Sequence, residues 1–184
     1  ITTDNNLIVD VSGGSFNIED FSLINCSVNN MGRGLIRFSG GGSDYNIQNF
    51  TIDNCTFTPW AKNGYSFIIS QNEANFYHNF RMTNSTSYAA PGSNKTLFEG
   101  ISDKITSNIN IFIENCTFAS NNSSYSLFDI RPGGEASFTL RKCLFTAGDN
   151  LNPNYGLRKN SSNISLIIED NYSTEGWITN RDHL

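Results

Sequence analysis

Five residues that recur at a regular interval carry side chains able to hold a sugar or an anion. The set comprises Arg33, Tyr65, Lys95, Tyr125 and Tyr155. Aromatic rings can stack on the C–H faces of sugars, and the basic groups between them can meet carboxylate or sulfate groups. Alternatively, the same residues pack on one another at a corner of the fold, each cation–π contact contributing about 0.5–1 kcal/mol. The pattern therefore predicts either a binding track for a polysaccharide or glycan, or a packed corner.

Two other recurring sets carry charge. The first comprises Arg37, Ile69, Glu99, Asp129 and Lys159, and the second comprises Asp53, Thr83, Glu114, Arg141 and Glu169. In the first set, Glu99 and Asp129 form either a carboxylate pair, half of a cation site, or a solvated face on which Lys159 attracts Asp129. Such a surface ion pair contributes roughly 0–1 kcal/mol. The alternating signs of the second set predict structural pairing across strands.

Catalytic groups are not evident in these sets. A polysaccharide lyase needs a Lys or Arg base near a group that neutralises the substrate carboxylate, and a glycoside hydrolase needs paired carboxylates. His78 and His183 are far apart in the repeat, and no dense cluster of outward charges accompanies them. The sequence therefore predicts no catalytic residue, no metal site and no cofactor. A polysaccharide lyase or hydrolase acting on an outward face is the alternative.

The four cysteines share one position of a repeat. They are Cys26, Cys55, Cys116 and Cys143. Their spacing is that of the repeat rather than the C-x-x-C spacing typical of zinc sites. We expect a column of small buried thiols that pack as modest hydrophobic groups and remain free. Disulfides between neighbouring units are the alternative, although inward-facing stacked thiols usually lack the Cβ geometry that a disulfide needs.

The repeat itself runs through the whole chain. Its units are Phe21–Cys26, Phe50–Cys55, Phe80–Ser85, Ile111–Cys116, Phe138–Cys143 and Leu166–Asn171. A second apolar motif recurs in phase, starting at Leu7, Leu35, Phe67, Leu97, Leu127 and Leu157. Apolar residues alternate within each unit, which is the periodicity of strands and not of helices. The sequence predicts an all-β, right-handed, single-stranded parallel β-helix of about six coils of ~29 residues.

Columns of equivalent residues should hold this stack together. We expect the first and third residues of each unit to stack inside, for example Phe50 and Ile52, each buried side chain contributing roughly 1.5–3 kcal/mol. Asn25, Asn54, Asn84 and Asn115 form another column, at a bend where Asn tolerates the left-handed conformation and can bond to adjacent coils. Lys142 and Asp170 replace Asn later in this column, so the amide ladder should weaken towards the C-terminus.

Composition excludes several classes of protein. The formal net charge is -5 and only 16% of the 184 residues are charged. Basic residues form no stripe, so a nucleic-acid partner is not expected. No apolar run approaches the ~20 residues of a membrane span. Aromatic residues make up 12% of the chain, which excludes a disordered composition.

The Phe-x-Ile-x-Asn-Cys-x-Phe units resemble the pectate-lyase-like right-handed parallel β-helix superfamily. More closely they resemble surface β-helix domains of unknown function from Bacteroidetes polysaccharide-utilisation systems, a likeness supported by Gly156–Ser162 and Glu169–Glu175. The resemblance implies a location outside the cytoplasm, either secreted or on the bacterial outer surface. It also implies a carbohydrate-binding or surface-display module. A structural segment of an adhesin or fibre is a further alternative.

The ends of the stack also lead to an expectation. We expect residues 1–184 to form one β-helix domain that is a fragment of a longer protein. A stack of coils exposes an unpaired strand edge at each end, and repeat proteins normally cap such ends. Residues 1–6 and the apolar segment Leu7–Val11 include no helix-like cap. A neighbouring domain or self-association would therefore cover the coil ends.

Overall fold

The computed structural model describes thirteen segments of the chain. These are residues 2–3, 9–11, 15–32, 34–38, 45–60, 67–70, 75–89, 98–99, 109–120, 128–130, 135–147, 157–159 and 164–173. All regular structure in these segments is β-strand, and they contain no helix. The chain is therefore all-β over the part that the structure describes.

The strands form three sheets, each built from one strand per repeat. Sheet 1 contains β3 (Phe16–Ile24), β6 (Tyr45–Asp53), β9 (Asn75–Thr83), β12 (Ile109–Glu114), β15 (Ala136–Arg141) and β18 (Ile164–Glu169). Sheet 2 contains β1 (Thr2–Thr3), β4 (Ser27–Met31), β7 (Thr56–Trp60), β10 (Thr86–Ala89), β13 (Thr117–Ser120), β16 (Leu144–Ala147) and β19 (Tyr172–Ser173). Sheet 3 contains β2 (Val9–Val11), β5 (Ile36–Phe38), β8 (Ile68–Ser70), β11 (Phe98–Glu99), β14 (Phe128–Ile130) and β17 (Leu157–Lys159).

All strand pairs within the sheets are parallel, and each strand pairs with its equivalent in the next repeat. From β3 onwards the chain visits sheets 1, 2 and 3 in that order and then returns to sheet 1. Parallel strands cannot be joined by a two-residue hairpin, and here the other two sheets supply the return path. Stacked parallel strands in this cyclic order fit a parallel β-helix.

The predicted core columns are confirmed in sheet 1. Phe50 pairs with Phe21 on one side and Phe80 on the other, and the same register continues through Ile111, Phe138 and Leu166. Phe50 and Ile52 are completely buried. The rings of Phe21 and Phe80 each meet Phe50 edge to face, with centroids 5.0 and 5.2 Å away. Edge-to-face geometry lets identical rings stack without opposing their π faces.

The bend between sheets 1 and 2 uses the left-handed conformation at every repeat. The residues at this position have φ between 50° and 55°: Asn25, Asn54, Asn84, Asn115, Lys142 and Asp170. Asn54 donates to the Oδ1 of Asn25 at 2.6 Å, and Asn115 donates to Asn84 at 2.8 Å. Asn84 instead donates to the carboxylate of Asp53. The left-handed bend is confirmed, and the amide ladder has a break in its middle that the sequence did not indicate.

The cysteine column lies directly after this bend, and its four thiols are free, as predicted. Cys55, Cys116 and Cys143 are buried. Each thiol also donates to the carbonyl oxygen two residues earlier, for example Cys55 to Asp53 at 3.2 Å and Cys116 to Glu114 at 3.3 Å. The column therefore satisfies backbone acceptors at the bend in addition to filling space. Burial raises the pKa of the Cys55 thiol, which keeps it protonated as a donor.

Register in sheet 3 departs from the sequence prediction at its C-terminal end. Leu157 pairs with Phe128, which is in register with Ile68 and Ile36 through Phe98. The prediction aligned Leu157 with Leu35 and Phe67, one residue earlier. Leu35 and Ile36 are both buried, as are Phe67 and Ile68, so two consecutive apolar residues obscure the alternation. A slip of one residue exchanges the two faces of a strand, so this correction also changes its charged neighbours.

Candidate functional site

The outward face of sheet 1 is the candidate site, because the strands of this sheet, six to nine residues each, are the longest that the structure describes. Alternate residues of each strand point away from the core, and three such columns run side by side. We call them the amide column, the central column and the charged column. The amide column contains Asp20, Asn49, Asn79, Asn110, Ser137 and Ser165. The central column contains Ser22, Thr51, Arg81, Phe112, Thr139 and Ile167. The charged column contains Ile24, Asp53, Thr83, Glu114, Arg141 and Glu169.

The amide column is a continuous hydrogen-bonded ladder over five repeats. Asn49 donates to the carboxylate of Asp20 at 2.9 Å, and Asn79 donates to Asn49 at 3.0 Å. Asn110 then donates to Asn79 at 3.1 Å, and the Ser137 hydroxyl donates to Asn110 at 2.7 Å. All the amides point the same way, with each N–H group directed towards the preceding repeat. The N–H groups of the ladder all point towards the repeat that contains Asp20, and the carboxylate of Asp20 is the last acceptor. Its negative charge is therefore favourable at the positive end of the aligned amide dipoles.

The central column carries an aromatic ring between two guanidinium groups. The Cζ atom of Arg81 lies 4.5 Å from the centroid of Phe112, and that of Arg141 lies 5.1 Å away. Phe112 is half-buried and Arg81 is exposed. Parallel pairing places Arg81 and Phe112 side by side, and Arg141 reaches diagonally from the charged column. Cation–π contacts of this kind contribute about 0.5–1 kcal/mol each at exposed positions. They hold three planar groups in one cluster on the sheet surface, called here the Arg81–Phe112–Arg141 cluster.

Carboxylates position the basic groups around this cluster. The Nε atom of Arg141 is 3.0 Å from Glu114 Oε1, although the N–H group is not aligned for a hydrogen bond. The Nζ atom of Lys142 is 3.7 Å from the same oxygen. Arg141 and Lys142 keep 39% and 61% of their side-chain surface exposed, so both cations remain accessible to a ligand. Among the described residues, Arg81 forms no ion pair and is attracted to Asp53 only at longer range.

Asp53 is a carboxylate of the charged column that accepts hydrogen bonds from two neighbouring side chains. The Thr83 hydroxyl donates to its Oδ1 at 2.6 Å and the Asn84 amide at 2.9 Å. These two hydrogen bonds, helped by the charge of Arg81, lower the pKa of Asp53 below its ordinary value of 3.8. The carboxylate is therefore an ionised structural acceptor at neutral pH and not a poised acid or base.

This pKa shift predicts a pH dependence of stability. Because the pKa of Asp53 is lower in the folded state than in the unfolded state, its ionised carboxylate stabilises the fold. This contribution to the free energy of unfolding is present above the unfolded-state pKa and is lost as pH falls through the folded-state pKa. We expect the melting temperature to fall on acidification below about pH 4. Asp53→Asn keeps an oxygen to accept from Thr83 and Asn84 but removes the titration, so the variant should show a shallower fall. Melting curves recorded across this range for both proteins test the assignment, and parallel curves would contradict it.

The row of residues first singled out in the sequence lies outside the described residues. Arg33, Tyr65, Lys95, Tyr125 and Tyr155 belong to segments that the structure does not describe, and the proposed binding track stays a prediction. In sheet 3, Arg37, Ile69 and Glu99 are in register, as predicted. Asp129, however, pairs with Arg158 and not with Lys159. The predicted position of Lys159 is therefore wrong. Two consecutive apolar residues near the start of these strands allow two alignments that differ by one residue, and the sequence analysis used the other one.

Sequence reasoning found the charged column but missed the other two. The predicted set Asp53, Thr83, Glu114, Arg141 and Glu169 is confirmed as one column, with the predicted pairing between Glu114 and Arg141. The amide column could have been found, because Asn49, Asn79 and Asn110 each precede the first apolar residue of a repeat. Phe112 gave no comparable signal, since no other repeat has an aromatic residue at this position of the central column.

Comparisons with protein-family models, with curated proteins and with solved structures gave no match for this chain. Within the described residues, no helix is long and apolar enough to cross a membrane. No group of three or more His, Cys, Asp or Glu side chains in these segments could hold a metal ion. The functional argument therefore depends on the chemistry of the outward face of sheet 1.

Proposed function

We propose that this protein is an extracytoplasmic module that binds a polysaccharide or glycan through the outward face of sheet 1, with no catalytic centre of its own. The observation that carries the proposal is the Arg81–Phe112–Arg141 cluster, which presents a ring and two guanidinium groups on a flat, hydrogen-bonding surface. Secretion or display on a bacterial outer surface is the setting that suits this role.

The fold proposed for this role is more specific than an all-β stack. We assign the three parallel sheets to a right-handed, single-stranded β-helix of about six coils of ~29 residues. The pectate-lyase-like superfamily is the group that it resembles. Support comes from the cyclic order of the sheets and from the recurrence of each column at the repeat spacing. Fold alone does not assign function, so the binding proposal rests on the surface chemistry.

A glycan chain lying along the stack would meet similar groups at successive repeats. Asn79 and Asn110 lie on one side of the cluster and Glu114 and Arg141 on the other. Amides can donate to and accept from sugar hydroxyl groups, and carboxylates can accept from them. The ring and the guanidinium planes can contact the C–H faces of the sugar. The rigid strands hold these groups in place before binding, which reduces the entropy lost on association.

A glycan-array screen followed by titration of any bound glycan tests the proposal. Phe112→Leu retains apolar packing but removes the ring, and we expect it to weaken binding about tenfold, corresponding to about 1.4 kcal/mol. Thr56→Ala is the matched control, because Thr56 is exposed on sheet 2, away from the cluster. Equal affinity of Phe112→Leu and Thr56→Ala would contradict the role of the cluster. Tyr125→Ala and Tyr155→Ala, tested in parallel, examine the predicted track separately.

One observation favours a polysaccharide lyase as a second candidate. Lys142 and Arg141 both lie beside Glu114, within reach of the exposed edge of the cluster. A lyase needs a basic residue to remove a proton next to the sugar carboxylate, and a second positive group to neutralise that carboxylate. An assay for unsaturated products on each bound glycan distinguishes the two functions. Product formation that Lys142→Ala abolishes would replace the binding proposal with the enzymatic one.

A further inference from the structure

The cysteine column contains an isolated pair of adjacent thiols. Cys116 and Cys143 occupy the same position in neighbouring repeats, because β12 pairs with β15 and β13 pairs with β16 in one register. Both side chains are buried, and their thiols lie in hydrogen-bond contact. Ser85 takes the cysteine position in the preceding repeat and Asn171 takes it in the following one. The pair is therefore separated from the other two cysteines of the chain.

The surroundings of this pair hold more electron-pair donors than hydrogens. The sulfur of Cys116 lies 3.3 Å from the carbonyl oxygen two residues earlier, and the sulfur of Cys143 lies 3.2 Å from its own equivalent. Each sulfur also lies near a carbonyl oxygen of the preceding repeat, at 3.6 Å for Cys116 and 4.0 Å for Cys143. Two S–H groups thus face four carbonyl oxygens as well as each other. The partial negative charges of these oxygens favour a cation at this place.

The contact between the thiols prepares one sulfur for ionisation. The hydrogen bond from the Cys116 side chain holds the pKa of the Cys143 thiol below its ordinary value, and a backbone hydrogen bond from Cys116 acts in the same direction. The same contact between the side chains, together with burial, raises the pKa of the Cys116 thiol. The thiolate is the form of cysteine that binds metals. Loss of the first proton therefore leaves one sulfur ligand with a second sulfur directly beside it.

The spacing of the repeats selects the kind of ion. Equivalent residues in adjacent parallel strands are about 4.8 Å apart. Two metal–thiolate bonds of roughly 2.3 Å placed end to end span about 4.6 Å, so a linear S–metal–S unit fits between two stacked cysteines. A structural zinc site needs four ligands, and no group of three or more His, Cys, Asp or Glu side chains in the described segments could supply them. Two thiolates alone suit a soft ion that accepts two ligands in a line, such as copper(I).

We propose that Cys116 and Cys143 bind one monovalent soft metal ion of the copper(I) class between two repeats of the stack. Binding breaks two S–H bonds, releases both protons to solvent and forms two metal–sulfur bonds, with no change in the oxidation state of the metal. The resulting unit carries one negative charge. Arg141 and Lys142 lie beside Glu114 and together leave one positive charge next to the site, which offsets it. This metal binding is independent of the proposed glycan binding.

Two variants that keep the same number of thiols test the proposal. Cys26→Ser with Cys55→Ser retains the adjacent pair, whereas Cys26→Ser with Cys116→Ser retains two buried thiols, Cys55 and Cys143, three repeats apart. Serine is compatible with this column, because Ser85 occupies it in one repeat, and circular dichroism confirms that both variants fold. Each variant is titrated with copper(I) under anaerobic conditions against a chromogenic copper(I) chelator. We expect the paired variant to bind one ion per chain, roughly a hundredfold more tightly than the other, since its second bond forms within the molecule.

Thermal melting supplies a second measurement. An ion held only by the native stack stabilises that stack, so one equivalent of copper(I) should raise the melting temperature of the paired variant and leave that of the other unchanged. Equal affinity in the two variants would overturn the proposal, because any thiol of the chain would then take up the ion. Loss of the circular dichroism spectrum on binding would also contradict it, since the ion would then need an unfolded chain. A paired variant from which the chelator removes all copper(I) rules out the site.

Discussion

Ile52→Asp should leave the protein unfolded or insoluble at room temperature. Ile52 is completely buried in sheet 1, where it pairs with Leu23 and Met82 in the adjacent strands. Its neighbours in the column are apolar, so an aspartate there would be an unpaired carboxylate in the core. Burying such a charge costs several kcal/mol, comparable to the roughly 5–15 kcal/mol that stabilises a typical domain. Circular dichroism and thermal melting measure the result.

Ile167→Asp is the matched control for this substitution. Ile167 occupies the central column of the outward face and is 45% exposed. The same chemical change at this position leaves the carboxylate in water, so we expect a change in stability within about 0.5 kcal/mol. A folded Ile52→Asp variant that melts close to the control would mean that the column does not form the core.

Ser85→Ala should destabilise the fold by about 1–3 kcal/mol, whereas Ser87→Ala should be neutral or slightly stabilising. Both serines are buried in the same repeat. The Ser85 hydroxyl donates to the carbonyl of Thr83 at 2.7 Å and accepts from the backbone N–H of Cys55 at 3.0 Å. Its removal leaves the buried N–H group of Cys55 without this acceptor, whereas the Thr83 carbonyl still accepts from the N–H of Asn54 at 3.2 Å. The Ser87 hydroxyl has no hydrogen-bond partner among the residues that the structure describes, so its removal loses no hydrogen bond there.

Urea denaturation of the two serine variants and the unmodified chain measures both effects. Each substitution removes one oxygen from a buried site in the same repeat, so the pair separates loss of hydrogen bonds from loss of volume. Similar destabilisation by both would show that packing, and not hydrogen bonding at the bend, determines the role of Ser85. Ser85→Cys should recover part of the loss, because Cys occupies the equivalent position in adjacent repeats and its thiol donates to the same type of carbonyl.

The sequence was sufficient to predict the features that repeat within each unit. Alternation of apolar residues identifies the inward columns, because successive side chains of a strand point to opposite faces. Asn at the fifth position of four of the six units identifies the left-handed bend, because few other residues adopt positive φ at low cost. The structure shows that Lys142 adopts it too, with its ammonium group near Glu114. Each of these properties depends on a few consecutive residues, so the sequence carries them directly.

Register across the variable segments between units was decided only in the folded chain. Counting residues placed Lys159 beside Asp129, but the strands pair Asp129 with Arg158. The segments between strands differ in length, and two consecutive buried residues at Leu35 and Ile36 allow two alignments. The alignment that forms is the one in which adjacent strands satisfy their backbone hydrogen bonds, a condition that involves residues far apart in sequence.

The candidate site belongs mainly to the tertiary structure. Arg81 and Phe112 contact each other because parallel pairing brings two repeats side by side. Arg141 joins them from the neighbouring column, a diagonal contact that no interval in the sequence specifies. The sequence by itself determined which residues face inward and where the chain bends, through local side-chain chemistry. Stacking alone decided which outward side chains meet, because those contacts join residues about one repeat apart whose alignment depends on the whole stack.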